Sequence, residues 1–592
     1  MSTTQIPGRQ TDQRKTATLL GSEWLIDFVA IAFLWSVAVL IVNPIGNFPL
    51  NDDWAMATTV KRLVEDGLYR PSGWTGMPLI TQTLWGALFC IPFGFSFTAL
   101  RFSTLVISLT GVFGTYCLIR QLRRSRLVGI LCALTLGCNP IYFALSNTFM
   151  TDVPFTTLVI LAALFFVRFL QKGSDRDLLI GTAFAVAATL CRQLGLFVPL
   201  GFGATLLLTR GFQKRWLLRA FIPAVVSISV LAAFQHWLAA TGRLPALYYD
   251  KSGKLLSVLS HPLRLPLNFA YYGWSILMYL GCFLLPVTIY VALTRRHGER
   301  YSRLSSLARF ALLLFLAASV VRFIVVPSLM PVHNNVIIRQ GIGPPTLKDT
   351  QDLHLDHLPG LPVGFWLVVT GLSLLGAGLL ILDATTFIFG RFTKPKFDPT
   401  NADRVLGTFF LICTVAYLLP LLISGFFDRY LVPILPFLAA FAVVSLPEPS
   451  YRLARAPLIA SMLLILGSGI FAIAGTRDYL EWNRTRWIAL EALLSREHAR
   501  PQDVDGGFEF NGWYSYESFG KTNWWVVKDT YALSFGEMEG YEPKTQYTYS
   551  NWMPPRIGKI FVMKRKSGSP KDGEGAEGSG KRDPSNAYEL NP

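Results

Sequence analysis

The chain has 592 residues, of which 52% are apolar and 15% charged, and it carries a formal net charge of +17. Soluble domains hold roughly a quarter charged residues, so this balance and a positive mean hydropathy exclude an ordinary soluble globule. The basic residues are scattered in short loops between apolar runs, with no finger, RNP-like or arginine-rich segment, which excludes nucleic acid as a partner and leaves membrane topology as their cause.

Apolar runs near the roughly 20 residues needed to cross hydrocarbon recur along most of the chain. The first, Trp24 to Val42, is long for a signal-peptide core and precedes no small-residue cleavage pattern, so it reads as an uncleaved span. Residues 79–118 are apolar enough for two spans, LITQTLWGALFCIPFGF and LRFSTLVISLTGVFGTYCLI. If only the second crosses, Arg9, Arg14, Lys15 and the loops RQLRRSR, QKGSDRD, TRGFQKRW, TRRHGERYSR, GRFTKPK and YRLAR share the cytoplasmic side. The positive-inside bias selects that arrangement. Pro78 to Phe93 then becomes an interfacial helix on the outer surface.

About 13 spans follow, near 24–43, 98–118, 127–145, 155–171, 178–191, 194–209, 217–240, 270–293, 306–326, 364–386, 405–424, 430–446 and 457–474. All seven cysteines lie within or beside apolar runs and read as small packing residues. Beyond residue 475 the chain turns soluble. TRDYLEWNRTRWIALEALLSREH has helical spacing, with Leu480, Trp487, Leu490, Leu493 and Leu494 on one face, while DGGFEFNGWYSY, NWWVVKDTYALSF and IGKIFVMKRK read as strands. From Ser567 the composition is that of a disordered tail. The expected fold is an all-α polytopic membrane bundle, with interfacial helices in the first outer loop, plus a small C-terminal α+β domain outside the membrane. Its parts are a cytoplasmic N-terminus (1–23), the bundle (24–474), the extracytoplasmic domain (475–566) and the tail (567–592).

Four charged turns hold the chemistry. Asp52 and Asp53 follow the first span directly and open an amphipathic stretch that Gly67 closes. One reading makes either aspartate a helix cap. Asp152 occupies the short outer loop SNTFMTDVP, where with Pro154 it also suits a helix start. Arg192 and Arg429 stand in short outer turns, where the positive-inside bias disfavours cations. They read as anchors to lipid headgroups or as an anion site at the membrane surface. Carboxylates beside guanidinium groups at the mouth of a bundle suit sugar transfer from a lipid phosphate. One carboxylate takes or orients the proton of the acceptor, and cations stabilise the departing phosphate.

The order of these features resembles the polytopic glycosyltransferases of the GT-C class, which use polyprenyl-phosphate sugars. The nearest groups are the bacterial aminoarabinose transferases and the protein O-mannosyltransferases. The resemblance runs through DDWAMATTVKRLVEDG, MPLITQTLWGALF, FGFSFTALRFSTL, NTFMTDVPF, CRQLGLFVPLG and DRYLVPILPFLA. It covers residues 20–210 well and the rest mainly by topology. It implies Asp52 as the catalytic base, in preference to Asp53, Asp152 as the second acidic residue, and Arg192 as a ligand of the lipid phosphate. It also implies a polyprenyl-phosphate-linked donor, an acceptor protein, lipid or glycan, and a bacterial inner membrane with the chemistry facing the periplasm. The aminoarabinose branch carries Lys-Pro before the interfacial helix, where this chain has Met77-Pro78. Arg70, Arg192 or Arg429 would have to replace that lysine.

Weaker signals remain. In QDLHLDHLPG, His354, Asp356 and His357 offer mixed ligands for a divalent ion or form a solvated loop. Family members differ in their need for a metal. Tyr248, Tyr249 and His261, with Lys251, Lys254 and Arg264, make an aromatic belt or a lid over the lipid phosphate. Trp513, Tyr514, Trp524 and Trp525 are core residues or a sugar platform, and Asn483-Arg484-Thr485 is a sequon relevant only in a eukaryotic lumen. A transporter or flippase of lipid-linked sugars and a polysaccharide ligase are the rival functions. A transporter needs ionisable groups at mid-depth, whereas Asp27, Arg101, Arg168, Arg322 and Asp383 lie mostly toward span ends.

Overall fold

The structure is a computed structural model that describes residues 8–122, 124–245, 247–248, 260–295, 306–392, 401–444, 446, 455–519 and 529–567. The expected tail beyond residue 567, Tyr249, Lys251, Lys254, Trp524 and Trp525 lie outside the described residues. The chain forms two compact units. One comprises the residues up to Pro344, Pro359–Arg484 and Ser550–Arg556; the other comprises Pro345–Leu358, Thr485–Tyr549 and the chain from Ile557.

The first unit is a helical bundle. It opens with α1 (Gly8–Val42), α2 (Asp53–Asp66), α3 (Ile80–Cys90) and α4 (Phe97–Gln121). Next come α5 (Arg126–Gly137), α6 (Pro140–Ser146), α7 (Asp152–Lys172), α8 (Asp175–Cys191), α9 (Phe197–Arg210) and α10 (Lys214–Ala240). The bundle continues with α11 (Leu265–Arg295), α12 (Ser306–Val325), α13 (Val363–Phe392), α14 (Ala402–Ser424) and α15 (Leu435–Val444). α16 (Arg455–Arg496), the longest described helix at 42 residues, belongs to this unit as far as Arg484 and to the second from Thr485. A two-residue ladder joins β1 (Ile337–Ile338) to β2 (Gly341–Ile342).

Helix starts follow capping chemistry. Ser96, Ser125, Ser174 and Asn401 each accept a backbone N–H from the first turn of the helix they precede. Asn139 accepts from Ile141 and Tyr142 just before Pro140, at the break where α5 and α6 bend by 65°. Among the described residues, ten helices are long and apolar enough to cross a membrane, or eleven if that bent pair is one span. The expectation of about 13 differs at two places. α8 has 17 residues, and the stretch at 430–446 begins as a 3-10 turn, Asp428–Ile434, before the ten residues of α15.

α3 has 11 residues and is too short to span hydrocarbon. Leu84 and Leu88 are exposed on it, while Gln82, Thr83 and Gly86 are buried. α7 is deeply enclosed, packing on α4 and α8. α12 has the opposite character, with Phe310, Leu313, Leu314, Val321 and Ile324 exposed. On a chain of this composition such a face suits lipid rather than water. Charges on the spans have structural partners. Asp27 accepts from Tyr116 Oη at 2.5 Å and Arg126 Nε at 2.7 Å, and Arg168 pairs with Asp177 at 3.1 Å. Arg101, 1% exposed, donates to the carbonyls of Pro44, Gly46 and Phe48 at 2.6, 3.1 and 2.8 Å.

The second unit holds α17 (Phe508–Phe519), β3 (Val504–Asp505), β4 (Tyr531–Ser534), β5 (Tyr541–Ser550) and β6 (Ile557–Arg565). The sheet order is β3-β4-β6-β5, with β3 parallel and β6 antiparallel to β4. DGGFEFNGWYSY was expected as a strand and is mostly helix α17. Residues 508–512 are all buried in succession, so its opening turns show neither a helical nor a strand period. The sheet packs Ala532 and Met563 around Met538 and Tyr541. Asn483 is fully buried in α16 and its amide donates to the Tyr479 carbonyl, so the sequon is closed to glycosylation.

Within this unit Arg486 and Glu509, both fully buried, pair at 2.8 Å, and Thr346 Oγ1 donates to the same carboxylate at 2.6 Å. Breaking a buried pair from one side leaves an uncompensated charge, at a cost of about 3–5 kcal/mol. Arg486→Met is therefore expected to destabilise this unit by that amount. Thermal and urea unfolding of the full-length protein measures the loss, and the double variant with Glu509→Leu should recover much of it.

Candidate active site

Asp52 occupies the N-cap position of α2, yet its side chain makes no capping bond. Its carboxylate points elsewhere. Oδ1 accepts from Trp74 Nε1 at 3.0 Å, and Oδ2 pairs with Arg429 Nη2 at 3.0 Å. This removes the reading of Asp52 as a simple cap. Gly67, in the left-handed region at φ +65°, ends the helix as its position in the sequence suggested.

Asp152 lies in the first turn of α7, and its Oδ1 accepts from Arg192 Nη1 at 2.8 Å. Arg192 stands in an extended conformation between α8 and the turn Gln193–Leu196. Gly195 makes that turn feasible, because a Cβ there would meet the Thr189 backbone nitrogen at 2.5 Å. The two ion pairs adjoin. Tyr430 places its ring 5.2 Å from the Arg192 guanidinium and 5.8 Å from that of Arg429. The side chains of Asp52, Arg429, Asp152 and Arg192 are 15%, 7%, 0% and 9% exposed, so the quartet is almost withdrawn from solvent. Burial opposes charge on both arginines. Asp152 beside Arg192, and Asp52 with Asp152 around Arg429, outweigh it and raise both guanidinium pKa values.

The quartet is not saturated. Nε and Nη1 of Arg429 and Oδ2 of Asp152 are buried without a hydrogen-bond partner. Such groups carry a desolvation cost that a ligand bearing both an anion and a hydroxyl would relieve.

Asp53 has a different task. Fully buried beside the quartet, it accepts from the backbone N–H of Leu50 at 2.7 Å and of Phe149 at 3.1 Å. The Phe149 carbonyl in turn accepts from Gln82 of α3 at 2.7 Å. Both backbone polar groups of Phe149 are thus held by buried side chains, which fixes the loop leading to Asp152. Asp53, a candidate catalytic residue by sequence, is a brace between the two acidic loops. Asp428 is also fully buried and accepts from the N–H groups of Val336, Ile337 and Arg429, which shapes the turn that presents Arg429.

Of the other candidates, Tyr248 lies near the site, with Gln235 donating to its hydroxyl at 3.4 Å and Tyr69 and Gln193 as electrostatic neighbours. Arg70 is exposed, and its carbonyl accepts from Arg62 at 3.2 Å. His261 is exposed beside Ser260. His354 and Asp356 are exposed, while His357 pairs with Asp349 at 2.8 Å. Among the described residues no group of three or more His, Cys, Asp or Glu side chains could hold a metal ion, so that loop does not assemble the ligand set weighed from sequence. Sequence reasoning did not single out Trp74, Tyr430 or Gln82. Tyr430 had the signal of adjacency to Arg429, whereas Trp74 and Gln82 had none.

Asp53→Asn would turn an amide N–H₂ toward a backbone N–H. It is expected to cost about 1–3 kcal/mol, seen as a lowered melting temperature.

Residues 78–239 match the family described as Dolichyl-phosphate-mannose-protein mannosyltransferase. No curated protein matches the chain. Among solved structures, the Archaeoglobus fulgidus oligosaccharyltransferase in the apo form aligns with a TM-score of 0.42 at 14% identity, over 80% of this chain and 58% of that one. The chain thus spans little more than half the length of that protein. ArnT from Cupriavidus metallidurans in the apo state aligns with a TM-score of 0.40 at 13% identity, over 92% of this chain and 98% of that one. The same protein bound to undecaprenyl phosphate gives 0.38 at 12%, over 93% and 99%. The family match falls on α3 to α10, the stretch that carries Asp152 and Arg192. Over residues 78–239, then, this polytopic membrane chain carries the pattern of the Dolichyl-phosphate-mannose-protein mannosyltransferase family, one of the two groups its motif order resembles.

Proposed function

We propose that the protein is a membrane glycosyltransferase that moves a sugar from a polyprenyl-phosphate donor to an acceptor hydroxyl or amine on the extracytoplasmic side of a bacterial inner membrane. The observation that carries this reading is the buried quartet of Asp52, Arg429, Asp152 and Arg192, with unpartnered donors on Arg429 and an unpartnered oxygen on Asp152. The family match over residues 78–239 supports the same class.

In this reading the lipid phosphate enters beside Arg429 and Arg192. The acceptor nucleophile attacks the anomeric carbon, and the bond from that carbon to the phosphate oxygen breaks. The electron pair leaves with the phosphate, and the guanidinium groups stabilise the charge it gains. Asp52 receives or orients the proton of the acceptor. Asp152 keeps Arg192 charged and in place, and its free oxygen accepts from a sugar hydroxyl. A divalent ion does not fit these residues, because Asp52 and Asp152 each already face a guanidinium. The structural partners of Asp27, Arg101 and Arg168 argue against an ion-coupled transport path.

Purified protein in lipid nanodiscs, supplied with a panel of undecaprenyl-phosphate sugars, should release undecaprenyl phosphate with at least one member. Asp52→Asn is expected to abolish release while leaving undecaprenyl phosphate affinity within a few-fold of wild type. Normal turnover by that variant would remove Asp52 from the reaction. Arg192→Ala is expected to weaken undecaprenyl phosphate binding by about tenfold or more, the worth of a charge-assisted hydrogen bond. Unchanged affinity would leave it a lipid anchor.

A further inference from the structure

We infer that Trp74 is a positioning residue of the transfer reaction, fixing the orientation of the Asp52 carboxylate; this rests on the reading of Asp52 as the group that receives the acceptor. Asp52 is held from both sides. Trp74 Nε1 donates to Oδ1 and Arg429 Nη2 to Oδ2, each at 3.0 Å. Rotation of the carboxylate plane would break a charge-assisted bond at one oxygen or the other. One lone-pair direction on each oxygen is left for the acceptor. A base set in this way meets the nucleophile in a reactive geometry without ordering itself first.

Trp74 is itself held rigid. Its ring stacks on Trp54, the residue two positions after Asp52, with centroids 6.2 Å apart and planes 29° apart. The loop that carries it is closed by Tyr69 Oη donating to the Pro78 carbonyl at 2.7 Å, and by Thr75 N and Oγ1 donating to the Ser72 carbonyl at 3.0 and 2.8 Å. The same loop touches the other two charged turns. Gln193, next to Arg192, donates to the Gly76 carbonyl at 3.2 Å. Thr151, next to Asp152, donates to Met77 Sδ at 3.3 Å. Residues 69–79 therefore bind the Asp152 and Arg192 turns together, and Trp74 passes that alignment to Asp52.

The test separates the indole N–H from the bulk of the ring. Trp74→Phe removes the donor. Benzothienylalanine incorporated at position 74 removes it while keeping the shape and the stack on Trp54, so it answers the question even if the phenylalanine variant folds poorly. Both proteins are assayed in nanodiscs with the undecaprenyl-phosphate sugars of the panel, alongside undecaprenyl phosphate binding and melting temperature. The expected result is a fall in kcat of about tenfold in both, with KM for the donor and undecaprenyl phosphate affinity unchanged. A benzothienylalanine protein with wild-type kcat overturns the inference, since Trp74 would then act through packing alone, while an inactive Asp52→Asn variant would still uphold the base. An active Asp52→Asn variant, or no turnover from the whole panel, would instead remove the reading of Asp52 and this inference with it.

Discussion

Charge pairing in a nearly water-free corner is the constraint on which the rest of the site depends. Four ionised side chains from four distant parts of the sequence are buried together, and no one of them is tolerable there alone. Asp52 needs Arg429, and Asp152 needs Arg192. Because the partners sit on different connections, satisfying the charges also fixes where the ends of α1, α7, α8 and α14 meet. The electrostatics that would serve transfer are thus the same forces that gather the helix ends.

Around this corner the backbone is held by side chains rather than by regular structure. Arg101 collects three carbonyls of the segment after α1, Asp53 and Gln82 clamp the Phe149 backbone from its N–H and its carbonyl, and Asp428 collects the N–H groups of Val336, Ile337 and Arg429. Buried polar side chains on a membrane protein are costly unless satisfied. Here each satisfies loop backbone that no helix or sheet could. The loops gain the rigidity of secondary structure while remaining free to point functional groups inward.

Much of this was legible in the sequence, for identifiable reasons. Span positions follow from hydropathy, and α3 was placed on the interface because the distribution of basic loops leaves no room for it to cross. Gly67 and the turns carrying Asp52, Asp152, Arg192 and Arg429 are local signals that the fold preserves. Other features were hidden because they depend on pairing at a distance. Asp52 and Asp53 are adjacent and alike in sequence, yet one faces an arginine 377 residues away and the other a backbone amide 96 residues away. Hydropathy does not encode such partners. Trp74 is one aromatic residue among many until its indole is seen on the Asp52 carboxylate. α17 differs from the expected strand because aromatic-rich segments suit strands by propensity, and its opening residues 508–512, buried on every side, leave no period to correct that reading.

One feature reaches beyond the site. α3 presents Leu84 and Leu88 outward, while Gln82 holds the Phe149 carbonyl and Thr81 Oγ1 donates to the Ala187 carbonyl of α8 at 2.8 Å. Whatever solvates that leucine face lies a single turn of helix from the contacts that set the Asp152 loop. Amphiphile chemistry is thereby a structural variable for this protein: acyl-chain order and detergent tail length press on the same short rod that braces its acidic corner.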